Sequence, residues 1–141
     1  MALHMSENGR RKLTQWEGCV LYTYDDFDTS RPPKKTSAAT KVRGTLTNGV
    51  GHTGPDVRPG QTISAAQADA MLSKDLRRFE EAVNGKVKVD LNQNQFDALV
   101  AFAFNVGVTA FSNSTLLKKL NKGQYDAVPS ELMKWTKSKG K

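Results

Sequence analysis

The chain has 141 residues, which is enough for one domain with a sizeable core that can divide into two lobes. Its 38% hydrophobic and 25% charged residues are typical of a soluble globular protein, and no stretch approaches the roughly 20 apolar residues of a membrane-spanning helix. The net charge of +7 favours an anionic polymer as partner, but no nucleic-acid-binding motif is present and we expect no nucleic-acid partner.

The N-terminal region is predicted to form a short helix over residues 6–16. The stretch MALHM at residues 1–5 is typical of a cloning remnant, so we expect a single domain over residues 6–141, without a secretory signal. A serine can cap the helix and Gly18 can end it, because these residue types supply a side-chain acceptor and a left-handed turn respectively. Glu17 should therefore lie at the end of the helix or just beyond it.

Residues 19–60 are predicted to form a small antiparallel β lobe. The stretch VLYTY is rich in β-branched and aromatic residues, and GTLTNGVGHTG is rich in glycine and threonine. Between them, residues 27–46 form an insert that contains two prolines and five lysines or arginines. Such a segment cannot be a regular strand throughout, and we expect either a mobile excursion or an extension of the hairpin with a loose tip.

A long connecting helix is predicted over residues 64–84. Ser64 can cap this helix, and Gly85 is expected to stop it. Its apolar positions repeat at i, i+4, i+7 and i+11, which predicts one buried stripe. The stripe consists of Leu72, Leu76, Phe79 and Val83.

Residues 90–141 are predicted to form a helical lobe. The stretch NQNQFDALVAFAFNVG is apolar on nearly every face, which is typical of a helix inside a bundle. A second helix, STLLKKLNKG, should run from a serine or threonine cap to Gly123, and a third should restart at Pro129. The order of helix, β lobe, long helix and helical lobe predicts an α+β fold.

Three carboxylates near the first helix are candidates for chemistry. Glu17 follows Trp16, whose indole can supply apolar surroundings, and Asp25 and Asp26 come next along the chain. Successive side chains of a strand face opposite ways, so only one of the two aspartates can face the same cleft as Glu17. Glycosidic bond cleavage uses two such carboxyl groups, one protonated and one ionised. The alternative is a surface glutamate beside a turn-forming aspartate pair.

Three separated stretches follow one another in the chain: WEG with YTYDD, then TNGVGHTG, then FNVGVTAFSNSTLLKKLNKGQYDA. Together they resemble the phage-type lysozymes, or endolysins, over roughly residues 13–135. The resemblance implies a lysozyme-like fold and hydrolysis of the β-1,4 bond between MurNAc and GlcNAc of bacterial peptidoglycan, without a metal or organic cofactor. It also implies an enzyme made in the host cytoplasm that acts in the periplasm or cell wall once the inner membrane is permeabilised.

The resemblance implies three catalytic residues. The family's glutamate at the end of the first helix matches Glu17, and its aspartate two residues after a tyrosine matches Asp26. Asp25 then becomes the outward-facing neighbour. The family's threonine before the G-x-G-H turn matches Thr47 in TNGVGH. The insert separates Thr47 from Asp26, so its assignment depends on the residues that follow it.

Further residues are assigned by the same resemblance. Thr53, Phe104 and Ser114 match positions that line the family's saccharide cleft, although Phe104 can equally be core and Ser114 a helix cap. His52 is expected to be a structural hydrogen-bonding residue rather than a base. Cys19 is the only cysteine, which excludes an intrachain disulfide, and we expect it to fill space in the core. Two histidines and one cysteine are too few to favour a metal site.

Other functions and partners stay open from the residues alone. A lytic transglycosylase can act with Glu17 as its only acid, and a non-catalytic cationic module would bind wall or membrane without it. We expect a monomer that acts on peptidoglycan. The chain ends at KWTKSKGK, where the family continues, so the helical lobe is expected to lack its final helix.

The insert is a candidate for weak contact with anionic wall or outer-membrane polymers, against the alternative of a solvated loop. Its basic residues are Arg31, Lys34, Lys35, Lys41 and Arg43.

Overall fold

A computed structural model describes residues 3–126, and these residues divide into two compact units. One unit comprises residues 10–75, and the other comprises residues 3–9 with residues 76–126. The helices and a small antiparallel sheet within them confirm the predicted α+β class. The predictions of a helix at Pro129, a lobe reaching residue 141 and an absent final helix fall outside the described residues.

The described residues form five helices and two strands. In chain order these are α1 (Glu7–Glu17), β1 (Val20–Asp25), β2 (Leu46–Gly49), α2 (Ala65–Lys86), α3 (Gln93–Val106), α4 (Val108–Ser112) and α5 (Thr115–Asn121). Helix α4 is short and follows a break at Gly107, which was not expected from the sequence.

Two predicted helix starts are confirmed. Ser6 accepts a hydrogen bond from the amide of Gly9 at 2.9 Å, and Ser64 accepts one from the amide of Gln67 at 3.0 Å. The amide of Ser64 donates in return to the Gln67 side chain at 2.7 Å, which completes a capping box. The predicted stop was wrong, because α2 continues through Gly85: a glycine weakens a helix without interrupting its hydrogen-bond ladder.

The predicted apolar faces form the core. The α2 stripe of Leu72, Leu76, Phe79 and Val83 is buried, with at most 5% of any of these residues exposed. Helix α3 buries apolar side chains on most of its surface, namely Phe96, Leu99, Val100, Phe102 and Ala103. The 3.6-residue period therefore predicted the buried stripe of α2 correctly, and the apolar composition of α3 predicted its burial on most faces.

Strands β1 and β2 pair antiparallel in the unit of residues 10–75. Tyr24 pairs with Thr47, and a bulge lies between this pair and Val20. The other edge of β1 is covered by the segment before α2, since the amide of Thr23 donates to the carbonyl of Gln61 at 3.0 Å. Both edges of the strand thus have backbone partners.

The insert is tied to β1 and does not extend the hairpin. Residues 26–45 connect the two strands and contain neither helix nor strand. The amide of Thr36 donates to the carbonyl of Thr23 at 2.9 Å, and the hydroxyl of Tyr22 donates to the carbonyl of Pro33 at 2.5 Å. The expected extension of the hairpin is therefore wrong. The alternative, an excursion between the strands, fits the path of the insert, but Pro33 and Thr36 in its middle are bonded to β1.

Residues 3–6 precede α1 without regular secondary structure and make fixed contacts within the second unit. Met5 is buried, and its amide donates to the Glu80 carboxylate at 2.7 Å. The amide of Ser6 donates to the Asp97 carboxylate at 3.0 Å. The residues that look like a cloning remnant thus contribute a buried side chain and backbone hydrogen bonds, and their origin stays a prediction.

Candidate active site

Glu17 is the last residue of α1. Gly18 follows it with a φ of 83°, a left-handed conformation that favours glycine, and its amide closes the helix on the carbonyl of Thr14 at 2.8 Å. Trp16 has 49% of its surface exposed. Glu17 is half-buried, and its Oε2 atom is shielded from solvent. The end of α1 therefore fixes the backbone of the first candidate carboxylate.

The two neighbouring aspartates have opposite environments. Asp26 is exposed, whereas Asp25 has only 8% of its surface exposed, so the expectation of an outward-facing Asp25 is wrong. The Asp25 carboxylate instead accepts hydrogen bonds from three backbone amides, those of Arg43 at 2.7 Å, Phe27 at 3.0 Å and Gly44 at 2.9 Å. These bonds, that of Arg43 first, favour the charged form and lower the pKa of Asp25.

Thr45 links Asp26 to Thr47. The amide of Thr45 donates to Oδ1 of Asp26 at 2.7 Å, and the carbonyl of Thr45 accepts from the amide of Asp26 at 3.0 Å. The same carbonyl accepts the hydrogen bond of the Thr47 hydroxyl at 3.0 Å. The structure thus brings two predicted site residues together. Thr45 could not be predicted from the sequence, because it contributes through its backbone and no side-chain motif marks it.

Tyr24 shares its electrostatic surroundings with both candidate carboxylates. Burial raises the pKa of its phenol, the negative charges of Asp26 and Glu17 raise that pKa further, and the positive charge of Arg31 lowers it. The charges of Glu17 and Asp26 therefore both act on the phenol of Tyr24.

His52 bonds to a carboxylate through each ring nitrogen. Nδ1 lies 2.7 Å from Asp75 and Nε2 lies 2.8 Å from Asp56. Burial acts to lower the pKa of His52, but the hydrogen bonds that its ring donates to the Asp75 and Asp56 carboxylates outweigh burial and raise that pKa. Hydrogen bonding to His52 also lowers the pKa of Asp56. With both nitrogens engaged, the ring suits the structural role expected of it better than that of a base.

The residues assigned to saccharide binding lie in different units. Thr53 is exposed and belongs to residues 10–75. Phe104, in the other unit, is half-buried and packs edge-to-face on Phe79 with ring centroids 5.4 Å apart. Ser114 caps α5, since its hydroxyl oxygen accepts from the amide of Leu117 at 3.1 Å. Phe104 and Ser114 thus have the packing and capping contacts that were their alternative roles.

The described residues contain neither a cluster of potential metal ligands nor a helix suited to span a membrane. Within residues 3–126, no three His, Cys, Asp or Glu side chains are grouped so that they could hold a metal ion. None of the helices in that range combines the length and apolar character needed to cross a bilayer. Cys19 is exposed, so the expectation that it fills space in the core is wrong.

The chain matches one protein family along most of its length. The model of the family described as phage lysozyme matches residues 14–141. The endolysin of Bacillus phage PZA is 40% identical over 139 residues, which cover 99% of this chain and 49% of that protein. The endolysin of Salmonella phage P22 is 37% identical over 140 residues, covering 96% of this chain and 86% of that protein.

Solved structures resemble the fold as a whole. The muramidase domain of SpmX from Asticaccaulis excentricus superposes with a TM-score of 0.78 at 33% identity, covering 95% of this chain and 81% of that one. A P22 lysozyme mutant superposes with a TM-score of 0.74 at 39% identity, covering 89% and 79% respectively. The predicted lysozyme-like fold is thereby confirmed. The chain spans only about half the length, or less, of the Bacillus phage relatives, with 49% and 36% of those proteins covered.

Proposed function

This chain belongs to the phage lysozyme family, and on that premise we propose that it hydrolyses the β-1,4 bond between MurNAc and GlcNAc in bacterial peptidoglycan. The observation that supports this most directly is geometric: the backbone of Thr45 holds the Asp26 carboxylate and the Thr47 hydroxyl together, in the same unit as the end of α1 that carries Glu17. An exposed carboxylate in Asp26 and a partly shielded one in Glu17 are the unlike pair that acid–base cleavage of a glycoside needs.

In this proposal Glu17 is the general acid and protonates the glycosidic oxygen as the sugar approaches an oxocarbenium-like state. Asp26 is the charged partner that activates or orients water on the opposite face of the ring. The Thr47 hydroxyl helps to position that water, from a site joined to Asp26 through the carbonyl of Thr45. No step in this scheme requires a metal or an organic cofactor.

Substitution of the two carboxylates tests the catalytic roles. Purified peptidoglycan is incubated with the wild type, Glu17→Gln and Asp26→Asn, and the released reducing ends are counted. We expect each variant to lose at least about 100-fold of the rate while unfolding at the wild-type temperature. An active Glu17→Gln variant contradicts the assignment of the acid.

The products separate the proposed hydrolase from the two other functions. A lytic transglycosylase releases anhydro-muropeptides, which mass spectrometry distinguishes from hydrolysed ends, and would survive Asp26→Asn. A cationic binding module would clear cells equally well with Glu17→Gln. Either result contradicts hydrolysis by a pair of carboxyl groups.

We further propose that the substrate is reached in the cell wall or periplasm and that the basic insert contributes weak contact with anionic wall or outer-membrane polymers. All of its basic side chains are exposed: Arg31, Lys34, Lys35, Lys41 and Arg43. Thr53, Phe104 and Ser114 are the candidates for saccharide contact, of which Thr53 is the most exposed.

A further inference from the structure

The carboxylate of Asp25 holds both ends of the insert. Its Oδ1 atom accepts the amide of Phe27 at 3.0 Å at the start of the insert and the amide of Gly44 at 2.9 Å at its end. Its Oδ2 atom accepts the amide of Arg43 at 2.7 Å. Removal of the carboxylate would therefore take away the acceptor of all three amides at once and untie both ends of the insert from β1.

Gly44 is packed tightly between the two aspartates. A Cβ atom at this position would overlap Oδ1 of Asp26 and would lie 2.9 Å from Oδ1 of Asp25. The next residue, Thr45, makes two backbone hydrogen bonds to Asp26. The position of Gly44 therefore determines where the amide and carbonyl of Thr45 meet Asp26.

We propose that Asp25 is a positioning residue for the proposed reaction. By holding Gly44 it fixes Thr45, and Thr45 in turn fixes the Asp26 carboxylate and the Thr47 hydroxyl. The inference rests on the proposed function, in which Asp26 is the charged partner of the acid. In this proposal Asp25 acts only through the backbone amides that it binds.

The contacts explain why a carboxylate is needed at this position. Asparagine has the same shape but offers only one acceptor oxygen, and its amide group would face at least one of three backbone amides that also donate. Asp25→Asn therefore removes part of the clamp with little change in volume. The backbone of residues 43–45 is then free to shift relative to Asp26.

Asp28 provides a matched control inside the same insert. Its carboxylate also accepts three hydrogen bonds, from the Ser30 hydroxyl at 2.6 Å and from the amides of Ser30 and Lys34, both at 2.9 Å. These bonds, that of the Ser30 hydroxyl first, lower the pKa of Asp28 to about 2. Its partners lie within the insert rather than at Thr45, so Asp28→Asn loosens the loop without releasing Asp26.

Steady-state kinetics on soluble peptidoglycan fragments test the proposal. We expect Asp25→Asn to lower kcat by about 10- to 100-fold with KM within about twofold of the wild type, because a displacement near 1 Å costs about 100-fold. Asp28→Asn should leave kcat within about twofold. A wild-type kcat in Asp25→Asn, or an equal loss of kcat in both variants, overturns the proposal. An Asp26→Asn variant with full activity would instead show that the proposed catalytic role has failed.

Amide hydrogen exchange of the Asp26→Asn variant, in which the acceptor of the Thr45 amide does not ionise, tests the same link if Asp25→Asn does not fold. As the pH falls, protonation of Asp25 weakens the acceptor for the amides of Arg43 and Gly44. We expect the amide of Thr45 to lose protection together with these two. Protection of Thr45 that persists after the other two amides exchange freely overturns the proposal, whatever the activity of the enzyme.

Discussion

His52 has a raised pKa because two carboxylates outweigh the effect of its burial. Stabilisation by such a group is fully present below the pKa of the unfolded chain, about 6.5, and is lost as the pH rises through the higher folded value. The Asp56 side chain is 63% exposed and is screened by water, whereas that of Asp75 is 26% exposed and contributes more. We expect the charged ring to stabilise the fold by about 1 kcal/mol.

Removal of this ring should flatten the pH dependence of stability. The melting temperature of the wild type is expected to fall by about 3 °C as the pH rises from 6 through the folded pKa of His52, and His52→Gln should lack this fall. Thermal unfolding followed by circular dichroism measures it. His4→Gln is the control, because the His4 side chain is 80% exposed. An unchanged pH dependence in His52→Gln would contradict the assignment.

Asp25 and Asp26 show how far the orientation and the partners of single residues could be predicted from the sequence. The alternation of a strand predicted that Asp25 and Asp26 face opposite ways, but the outward-facing position assigned to Asp25 is wrong, because Asp25 is buried and Asp26 is exposed. The three partners of Asp25 could not be predicted, because they are backbone amides and two of them lie at the far end of the insert. Side-chain patterns carry no information about which amides a chain brings back to a carboxylate.

At the scale of the elements, the N-terminal segment is joined to α2 and α3 by polar contacts. The amide of Leu3 donates to the Asn84 side chain at 3.1 Å, and the Asn84 amide group returns a bond to the Leu3 carbonyl at 2.9 Å. Glu80 and Asp97 are buried and accept amides of the same segment. Removal of residues 1–5 would leave the buried Glu80 carboxylate without the Met5 amide, whereas Ser6 would remain to bond to Asp97.

Deletion of residues 1–5 is therefore expected to lower the free energy of unfolding by about 2–4 kcal/mol. Burial of a methionine side chain such as Met5 alone accounts for about 1.5–3 kcal/mol. Urea unfolding of the truncated and full chains measures the difference. Met5→Leu, which conserves volume, should cost less than about 1.5 kcal/mol. Equal stability of the truncated chain would show that these residues contribute nothing, as expected of a cloning remnant.

The elements with a strong local signal were predicted well. The apolar stripe of α2 and the serine caps depend on residues three or four positions apart, and the structure confirms them. The end of α2 and the break before α4 were not predicted. Gly85 is tolerated in the last turn of α2, whereas Gly107 separates α3 from α4, and the residue type alone does not distinguish the two cases. The path of residues 26–45 depends on contacts with β1, which no local pattern encodes.

At the scale of the whole molecule, the net charge of +7 favours long-range attraction to an anionic polymer. The proposed wall contact of the insert requires that its own basic residues contribute more to this attraction than basic residues elsewhere. The exposed lysines of the insert, Lys34, Lys35 and Lys41, lie in one connecting segment. Three other exposed lysines, Lys74, Lys118 and Lys122, lie on or beside α2 and α5. Replacement of either set by glutamine changes the net charge by the same amount.

The two variants, each with three lysines replaced by glutamine, separate the effect of charge in the insert from the effect of net charge. We expect the insert variant to bind purified cell wall several-fold more weakly than the wild type at low ionic strength, and the variant of α2 and α5 to bind nearly as well as the wild type. The difference should vanish near 1 M salt, where the Debye length falls to about 3 Å. Sedimentation of the protein with peptidoglycan measures binding at each salt concentration. An equal loss in both variants would mean that net charge alone governs attraction to the wall, and the insert would then be a solvated loop.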